Sequence, residues 1–202
     1  MNTTIDGIDI HAHGVPKQFL DEVKRTRLGG VDVVAADGGY VVTFPGCAPL
    51  RPAAGIMLDF TQRLGWLDAQ DKAKPGPVGC VGYCMSGMHI TNAAAFYPHR
   101  IKSAASLYGV GIITDKEDSP HLFLDRIKGE LYYAFAETDR SVPPHIPGEL
   151  KGLLEKHGIK HELKTFPGTE HGFAFPERAI YNTLAAEETW TKMFAMWDRT
   201  LK

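Results

Sequence analysis

The sequence predicts an α/β fold in which a parallel β-sheet is flanked by helices. From residue 78 onward, short apolar stretches that suit buried strands alternate with longer segments of helical character. Such alternation is typical of βαβ units, whose strands run parallel. The sequence pattern changes at Lys74-Pro75-Gly76-Pro77, and the alternation of predicted strands and helices begins after this stretch. We therefore divide the chain into an amino-terminal segment, residues 1–60, and an α/β domain, residues 61–202.

The elements are predicted from periodicity, turn residues and helix-start signals. In the amino-terminal part, Asp37-Gly38-Gly39 indicates the turn of a β-hairpin. The predicted strands of that hairpin are Val31–Ala35 and Tyr40–Phe44, and helices are predicted at Pro16–Arg27 and Ile56–Ala69. In the α/β domain the predicted strands are Val78–Tyr83, Ile101–Leu107, Glu130–Ala136 and His161–Phe166. The predicted helices there are Ser86–Tyr97, Glu149–His157 and Ala179–Leu201, with a crossover loop at Lys116–Lys128.

Composition excludes several classes of function. The chain has 202 residues, a formal net charge of −2 and 23% charged residues without a basic run, so we expect neither a nucleic-acid nor a membrane partner. Three cysteines without a framework spacing argue against a secreted disulfide scaffold. The start of the sequence is polar and acidic, unlike a signal peptide. These observations predict a cytoplasmic protein.

The segment around Cys84 has the pattern of a nucleophile elbow. The small residues Gly82 and Ser86 flank Cys84 between a predicted strand and a predicted helix. Such a turn is strained at the nucleophile and needs small neighbours on both sides. The start of the helix would favour a thiolate at Cys84 and place the Met85 N–H toward a developing oxyanion. The alternative is a buried structural cysteine at a tight turn, which is the role we expect for Cys80.

An acid and a base follow the elbow in the order that this fold requires. Asp139 comes after the strand Glu130–Ala136, and His171 comes after the strand His161–Phe166. Asp139 would orient the imidazole of His171, which would shuttle the proton of Cys84. Glu137 and Glu170 are rival carboxylates. Asp139 could equally be a turn or capping residue, and His171 a surface histidine.

The blocks Gly82–Gly87, Glu137–Pro143 and His171–Phe173 resemble the signature motifs of the dienelactone hydrolase family of α/β-hydrolases. The resemblance extends from about Leu64 to Lys202. It implies a cysteine hydrolase that opens lactones or esters through an acyl-enzyme on Cys84, Asp139 and His171. It implies no metal or cofactor, and a small-molecule lactone or ester as the partner.

Two departures from the family pattern limit what the resemblance implies, one in the elbow and one at a substrate-binding position. Ser86 stands where the family has glycine, and Phe175 stands where the family has the arginine that holds the substrate carboxylate. Arg178, three residues later, is our candidate replacement. Tyr83 and Phe173, within the signature blocks, are further candidates for substrate contact.

The amino-terminal segment does not resemble the start of that family. We find in it none of the glutamate, second oxyanion N–H and substrate arginine that family members carry before the elbow. The domain is therefore expected to lack its first strands, to be impaired in turnover and to self-associate through an unpaired strand edge.

The amino-terminal segment instead resembles the opening of an amidohydrolase of the aminocarboxymuconate-semialdehyde decarboxylase kind. His11 and His13 form a His-x-His pattern at the end of a predicted strand, which would place both imidazoles on one side for a metal. Two alternatives to the cysteine hydrolase therefore stay open. One is a metal-dependent amidohydrolase or decarboxylase that uses His11 and His13, and the other is a non-catalytic hybrid remnant.

Overall fold

A computed structural model describes residues 76–202, the backbone of two strands at residues 32–36 and 39–43, and positions 64, 65, 67–69 and 73. The described residues belong to two compact units, which are treated separately. The predicted helix Pro16–Arg27 lies outside the described residues. Of the predicted helix Ile56–Ala69, positions 64, 65, 67 and 68 are described and are helical.

The first unit contains the predicted β-hairpin. Strand β1 (Asp32–Ala36) pairs antiparallel with strand β2 (Gly39–Thr43), with Asp32 opposite Thr43 and Ala36 opposite Gly39. The hairpin prediction is confirmed, and the bounds of its strands differ from the expected ones by one residue.

The second unit contains a four-stranded parallel sheet in the order β3-β4-β5-β6. The predicted α/β class is therefore confirmed. Among the described residues, β3 and β6 are the two edges of this sheet. The strands are β3 (Val78–Tyr83), β4 (Ile101–Leu107), β5 (Glu130–Thr138) and β6 (His161–Glu170). The helices are α1 (Ser86–Phe96), α2 (Ile146–Lys156) and α3 (Thr183–Thr200), with a 3-10 helix at Pro120–Arg126 within the predicted crossover loop.

Strands β5 and β6 extend further than the sequence predicts. Their pairing shifts register between Ala136 and Thr138 and then resumes with Thr138 opposite Glu170. The predicted strand ends before Pro167-Gly168, whereas β6 continues through them. Proline is tolerated in an edge strand because an edge strand has no further strand on its outer side that would need the missing N–H. As a result, Asp139 and His171 each follow directly on the last residue of a strand.

Two helices also begin at different residues. Helix α2 starts three residues before the predicted Glu149, with proline in its first turn, where a missing N–H costs little. Helix α3 starts at Thr183 and not at Ala179, because the Asn182 side chain accepts a hydrogen bond from the Ala185 N–H at 3.1 Å.

The core of this unit is built from β3, β4 and β5, which are buried along most of their length, whereas most residues of β6 are partly or fully exposed. Continuous apolar strands are characteristic of parallel sheets with both faces covered. On one face, Thr91 of α1 bonds to the Tyr133 hydroxyl of β5 at 3.0 Å. No helix in the described part of the chain is both long and apolar enough to cross a bilayer.

The carboxylate of Glu130 fastens the end of α3 to the start of β5. Its side chain is only 7% exposed, and it accepts hydrogen bonds from the Arg199 guanidinium and lies 3.0 Å from Lys160 Nζ. Burial opposes the charge and raises the pKa of Glu130, but the hydrogen bonds from Arg199 and Lys160 outweigh it, so that the pKa lies below its ordinary value of 4.5. The ion pairs therefore stabilise the folded state only while Glu130 is charged.

We predict that Glu130→Gln lowers the free energy of unfolding at pH 7 by about 1–3 kcal/mol. The substitution removes the buried negative charge that pairs with the partly exposed Arg199 and Lys160. The loss should be smaller at acidic pH. A carboxyl with a lowered folded-state pKa contributes stability that disappears as the pH falls below its ordinary value of 4.5.

Urea denaturation between pH 7 and pH 3 measures both effects. Glu155→Gln is the matched control, because Glu155 forms an exposed pair with Lys151 at 3.9 Å, and such pairs contribute little. Equal losses in the two variants, or a loss for Glu130→Gln that does not shrink with acid, would contradict this account.

Candidate active site

Cys84 occupies the sharp turn between β3 and α1 and has a left-handed backbone, with φ at 53°. A non-glycine residue in this region costs on the order of 1–3 kcal/mol and persists only where its surroundings hold it. The expected strain at the elbow residue is thus confirmed. A Cβ atom on Gly82 would lie 2.5 Å from the Ser86 carbonyl oxygen, which explains why the turn requires glycine there.

Three backbone hydrogen bonds hold Cys84 in this conformation. Its N–H donates to the Leu107 carbonyl at 3.1 Å, and its carbonyl accepts from the N–H groups of Gly87 and Val110 at 3.0 Å each. Two of these partners lie at the end of the neighbouring strand β4. The position of Cys84 is therefore set by the sheet as well as by its own turn.

The backbone of Met85 is available at the start of α1. Met85 is the residue that caps this helix, and its side chain is half-exposed. Among the described residues, no hydrogen bond uses its N–H. The first N–H groups of a helix have no partner within the helix, so this one can donate to an anion beside Cys84.

His171 and Asp139 are joined by a short hydrogen bond. The distance from His171 Nδ1 to Asp139 Oδ2 is 2.6 Å, and the two side chains are 24% and 3% exposed. The other carboxylate oxygen of Asp139 accepts from the Ser141 N–H at 2.8 Å. Asp139 is therefore buried and fixed on both oxygens, as an orienting carboxylate needs to be.

The rival carboxylates do not occupy this position. Glu137 instead accepts a hydrogen bond from the Gly168 N–H at 2.9 Å, on the exposed side of the same strand ends. Glu170 is exposed at the end of β6. Of the three acidic side chains that the sequence offered, the structure brings Asp139 to His171.

The expected hydrogen bond between the nucleophile and the base is not observed among the described residues. Within the described part of the chain, no hydrogen bond joins the Cys84 sulfur to His171. Catalytic hydrogen bonds of this kind are commonly loose until a substrate binds.

Cys80 differs from Cys84. Cys80 is buried in β3, its thiol lies 3.8 Å from the Ser103 carbonyl oxygen, and burial raises its pKa to about 12. It is a core residue, as expected. Cys47 lies outside the described residues. Cys84 is only partly buried and is the more accessible of the two described thiols.

The three candidate substrate-binding residues are placed differently. Tyr83 and Phe173 are 5% and 0% exposed and pack within the hydrophobic core cluster, and their contact with a substrate stays a prediction. Arg178 is exposed, and its guanidinium lies over Gly172, the residue after His171, where a Cβ atom would collide with it.

Tyr108 is a residue near the site that sequence reasoning missed. It follows the last residue of β4, is 1% exposed and has a positive φ of 40°. Its ring centroid lies 5.1 Å from that of His171. The only signal in the sequence was an aromatic residue before Gly109 at the end of a predicted strand.

The metal-binding alternative gains no support from this unit. Among the residues that the structure describes, no group of three His, Cys, Asp or Glu side chains is arranged to hold a metal ion. His11 and His13 lie outside those residues, so their proposed role as ligands stays a prediction. The resemblance of the amino-terminal segment to an amidohydrolase also stays a prediction.

The comparisons with known proteins concern the family of the chain. The family model described as "Dienelactone hydrolase family" matches residues 50–201. The chain is 31% identical over 153 residues to "Putative carboxymethylenebutenolidase" of Synechocystis, covering 74% of this chain and 61% of that protein. It is 32% identical over 137 residues to "Carboxymethylenebutenolidase homolog" of mouse, covering 67% and 52%. It therefore spans less than two thirds of these relatives' length.

Solved structures share the fold. A crystal structure from Klebsiella pneumoniae titled as that of a "Putative Dienelactone Hydrolase" superposes with a TM-score of 0.66 at 21% identity, covering 72% of this chain and 61% of that one. The family match begins at residue 50, earlier than the resemblance near Leu64 that we noted. The division of the chain at residue 60 is not tested by this match and stays a prediction.

The steric account of the elbow predicts that Gly82→Ala destabilises the protein by about 1–3 kcal/mol, since overpacking against backbone cannot be relieved by a rotamer change. The matched control is Gly152→Ala, on an open face of α2 with nothing within 4 Å of the new Cβ. That variant should gain about 0.5–1 kcal/mol, the usual advantage of alanine in a helix. Thermal unfolding of both variants checks the contrast, and a neutral Gly82→Ala would show that the turn is not strained as described.

Proposed function

The chain belongs to the dienelactone hydrolase family, and we propose that it hydrolyses a lactone or ester through an acyl-enzyme formed on Cys84. The single observation that carries the proposal is the short bond between the side chains of Asp139 and His171. Like the strained Cys84, both residues directly follow the carboxyl end of a strand of the parallel sheet. A buried acid, an oriented imidazole and an exposed turn with a thiol are the parts that nucleophilic acyl transfer needs.

The proposed first half-reaction acylates the enzyme. His171 accepts the proton of Cys84 while the sulfur attacks the substrate carbonyl carbon, giving a tetrahedral intermediate. The Met85 N–H donates to the oxyanion of that intermediate. When the carbon–oxygen bond to the leaving group breaks, His171 returns the proton to the departing alcohol, and a thioester remains on Cys84. For a lactone the alcohol stays attached to the acyl chain.

The proposed second half-reaction releases the acid. His171 takes a proton from water as the water oxygen attacks the thioester, and the second tetrahedral intermediate expels the Cys84 sulfur, which regains the proton. Asp139 stays ionised throughout, since its role is to hold the Nδ1–H tautomer and to stabilise the charged imidazole. Its two hydrogen bonds at 2.6 and 2.8 Å suit that role.

Arg178 is the proposed determinant of substrate charge. The relatives' printed name specifies a butenolide, which is a lactone, bearing a carboxyl-containing group. Arg178 is exposed and lies against the residue next to His171, where its guanidinium can pair with such a carboxylate. We propose an anionic lactone or ester as the substrate class.

The triad is tested by lactone and p-nitrophenyl ester turnover in matched variants. Cys84→Ala should abolish turnover, and Asp139→Asn should lower kcat by about 10³- to 10⁴-fold because the wrong tautomer of His171 is favoured. Glu137→Gln is the matched control, since Glu137 bonds to Gly168 and not to His171, and it should retain activity. Turnover that survives Cys84→Ala, or is lost on metal chelation, would overturn the proposal.

Substrate charge is tested separately. Arg178→Gln should raise KM for a carboxylate-bearing lactone by about 10- to 100-fold, the usual cost of losing a charge-assisted hydrogen bond, and should leave a neutral ester unaffected. Arg140→Gln, an exposed arginine on the Asp139 side, is the control for overall charge. Equal changes for neutral and anionic substrates would show that Arg178 does not recognise the carboxylate.

A further inference from the structure

Two described residues other than glycine have a positive φ, and they sit side by side. Cys84 and Tyr108 follow the last residues of the neighbouring strands β3 and β4. The residue before Tyr108 and the second residue after it bond to Cys84: the Leu107 carbonyl accepts the Cys84 N–H, and the Val110 N–H donates to the Cys84 carbonyl. The backbone conformation of Tyr108 is thus part of the same hydrogen-bonded junction that holds the proposed nucleophile.

The ring of Tyr108 contacts the histidine loop at alternate residues. Its centroid lies 5.1 Å from that of His171, 5.5 Å from that of Phe173 and 6.3 Å from that of Phe175. Tyr108 is 1% exposed, whereas the His171 side chain is 24% exposed. The imidazole is therefore backed by the tyrosine ring, restrained at Nδ1 by Asp139, and open to solvent elsewhere.

The ring, and not the hydroxyl, makes these contacts. The Tyr108 hydroxyl is buried and has no hydrogen-bond partner in the described part of the protein. Burial raises its pKa, the nearby Tyr83 and Cys84 raise it further, and Arg178 opposes the rise. The hydroxyl therefore stays neutral, and it has no role as a base.

We propose that Tyr108 is a positioning residue that couples the two halves of the site: its strained backbone locks the Cys84 turn, and its ring fixes the plane of the His171 imidazole. This inference rests on the proposed function. It accounts for a bulky side chain at a position where the backbone alone would favour glycine. A residue needed only to fill the core would not require a positive φ, because the buried side chains within the strands fill the core without one.

The first test replaces the ring and reads out turnover. Tyr108→Leu should lower kcat by about a hundredfold with little change in KM, since a small displacement of a catalytic group has that effect. Tyr108→Phe should retain the wild-type kcat because it keeps the ring. Tyr132→Leu is the matched control: Tyr132 is also a buried tyrosine of the same core cluster, 2% exposed, and is not among the described rings that contact His171. If Tyr108→Leu and Tyr132→Leu reduce kcat equally, the proposal is overturned.

The second test reads the histidine directly and does not depend on ester turnover. The short bond from His171 Nδ1 to Asp139 should give a low-field proton NMR resonance that disappears in Asp139→Asn. That resonance should be retained in Tyr108→Phe and Tyr132→Leu and lost in Tyr108→Leu, or in Tyr108→Met if the leucine variant does not fold. Its persistence in a folded variant without the ring, or its loss in Tyr108→Phe, would overturn the proposal.

The two proposals fail in different ways. If Cys84→Ala leaves turnover unchanged, the proposed function is wrong whatever the NMR shows. If turnover requires Cys84 but neither the resonance nor kcat changes when the Tyr108 ring is removed, the proposed function stands and the positioning role is wrong.

Discussion

The strained backbone of Cys84 is the constraint on which the rest of the site depends. A positive φ at a cysteine is unfavourable, and it is maintained by hydrogen bonds to Leu107, Gly87 and Val110. The bonds to Leu107 and Val110 require β4 beside β3, and the turn itself requires glycine at position 82, because a Cβ there would meet the Ser86 backbone. The parallel sheet therefore does more than carry the thiol. It supplies partners that make the strained conformation the stable one, and the Met85 N–H at the start of α1 has no hydrogen bond among the described residues.

The second requirement is that an acid and a base lie at the same end of the sheet as Cys84, where the strands have their carboxyl ends. The register shift between Ala136 and Thr138 lets β5 and β6 run on together to Thr138 and Glu170, so that Asp139 and His171 emerge next to each other. Their 2.6 Å bond follows from this pairing. The far end of the same strands is held by Glu130 with Arg199 and Lys160, which ties α3 to the sheet. The strained turn and the ion pairs thus lie at opposite ends of the sheet.

Local sterics made some of the site predictable from sequence. The elbow around Cys84 and the need for a small residue at Gly82 follow from the chemistry of one turn, and the strand β3 was predicted with its exact bounds. The order of the motifs predicted Asp139 as the acid but left Glu137 and Glu170 as rivals, because the pairing with His171 depends on the register shift between two strands distant in sequence. Tyr108 was missed for a similar reason: its contacts are to a loop that lies far along the chain. The burial of Tyr83 and Phe173 was likewise not predicted, because motif membership does not reveal burial.

The central claim is that Cys84 forms the acyl-enzyme, and trapping that intermediate tests it most directly. The protein would be mixed with an activated ester, quenched in acid within milliseconds, digested and mapped by mass spectrometry. We expect the acyl mass on the peptide that carries Cys84, in an amount approaching one per chain and absent from Cys84→Ala, with Cys80 unmodified because it is buried. Acylation at another residue, or hydrolysis with no acylated peptide at any quench time in a variant slowed at deacylation, would contradict the account.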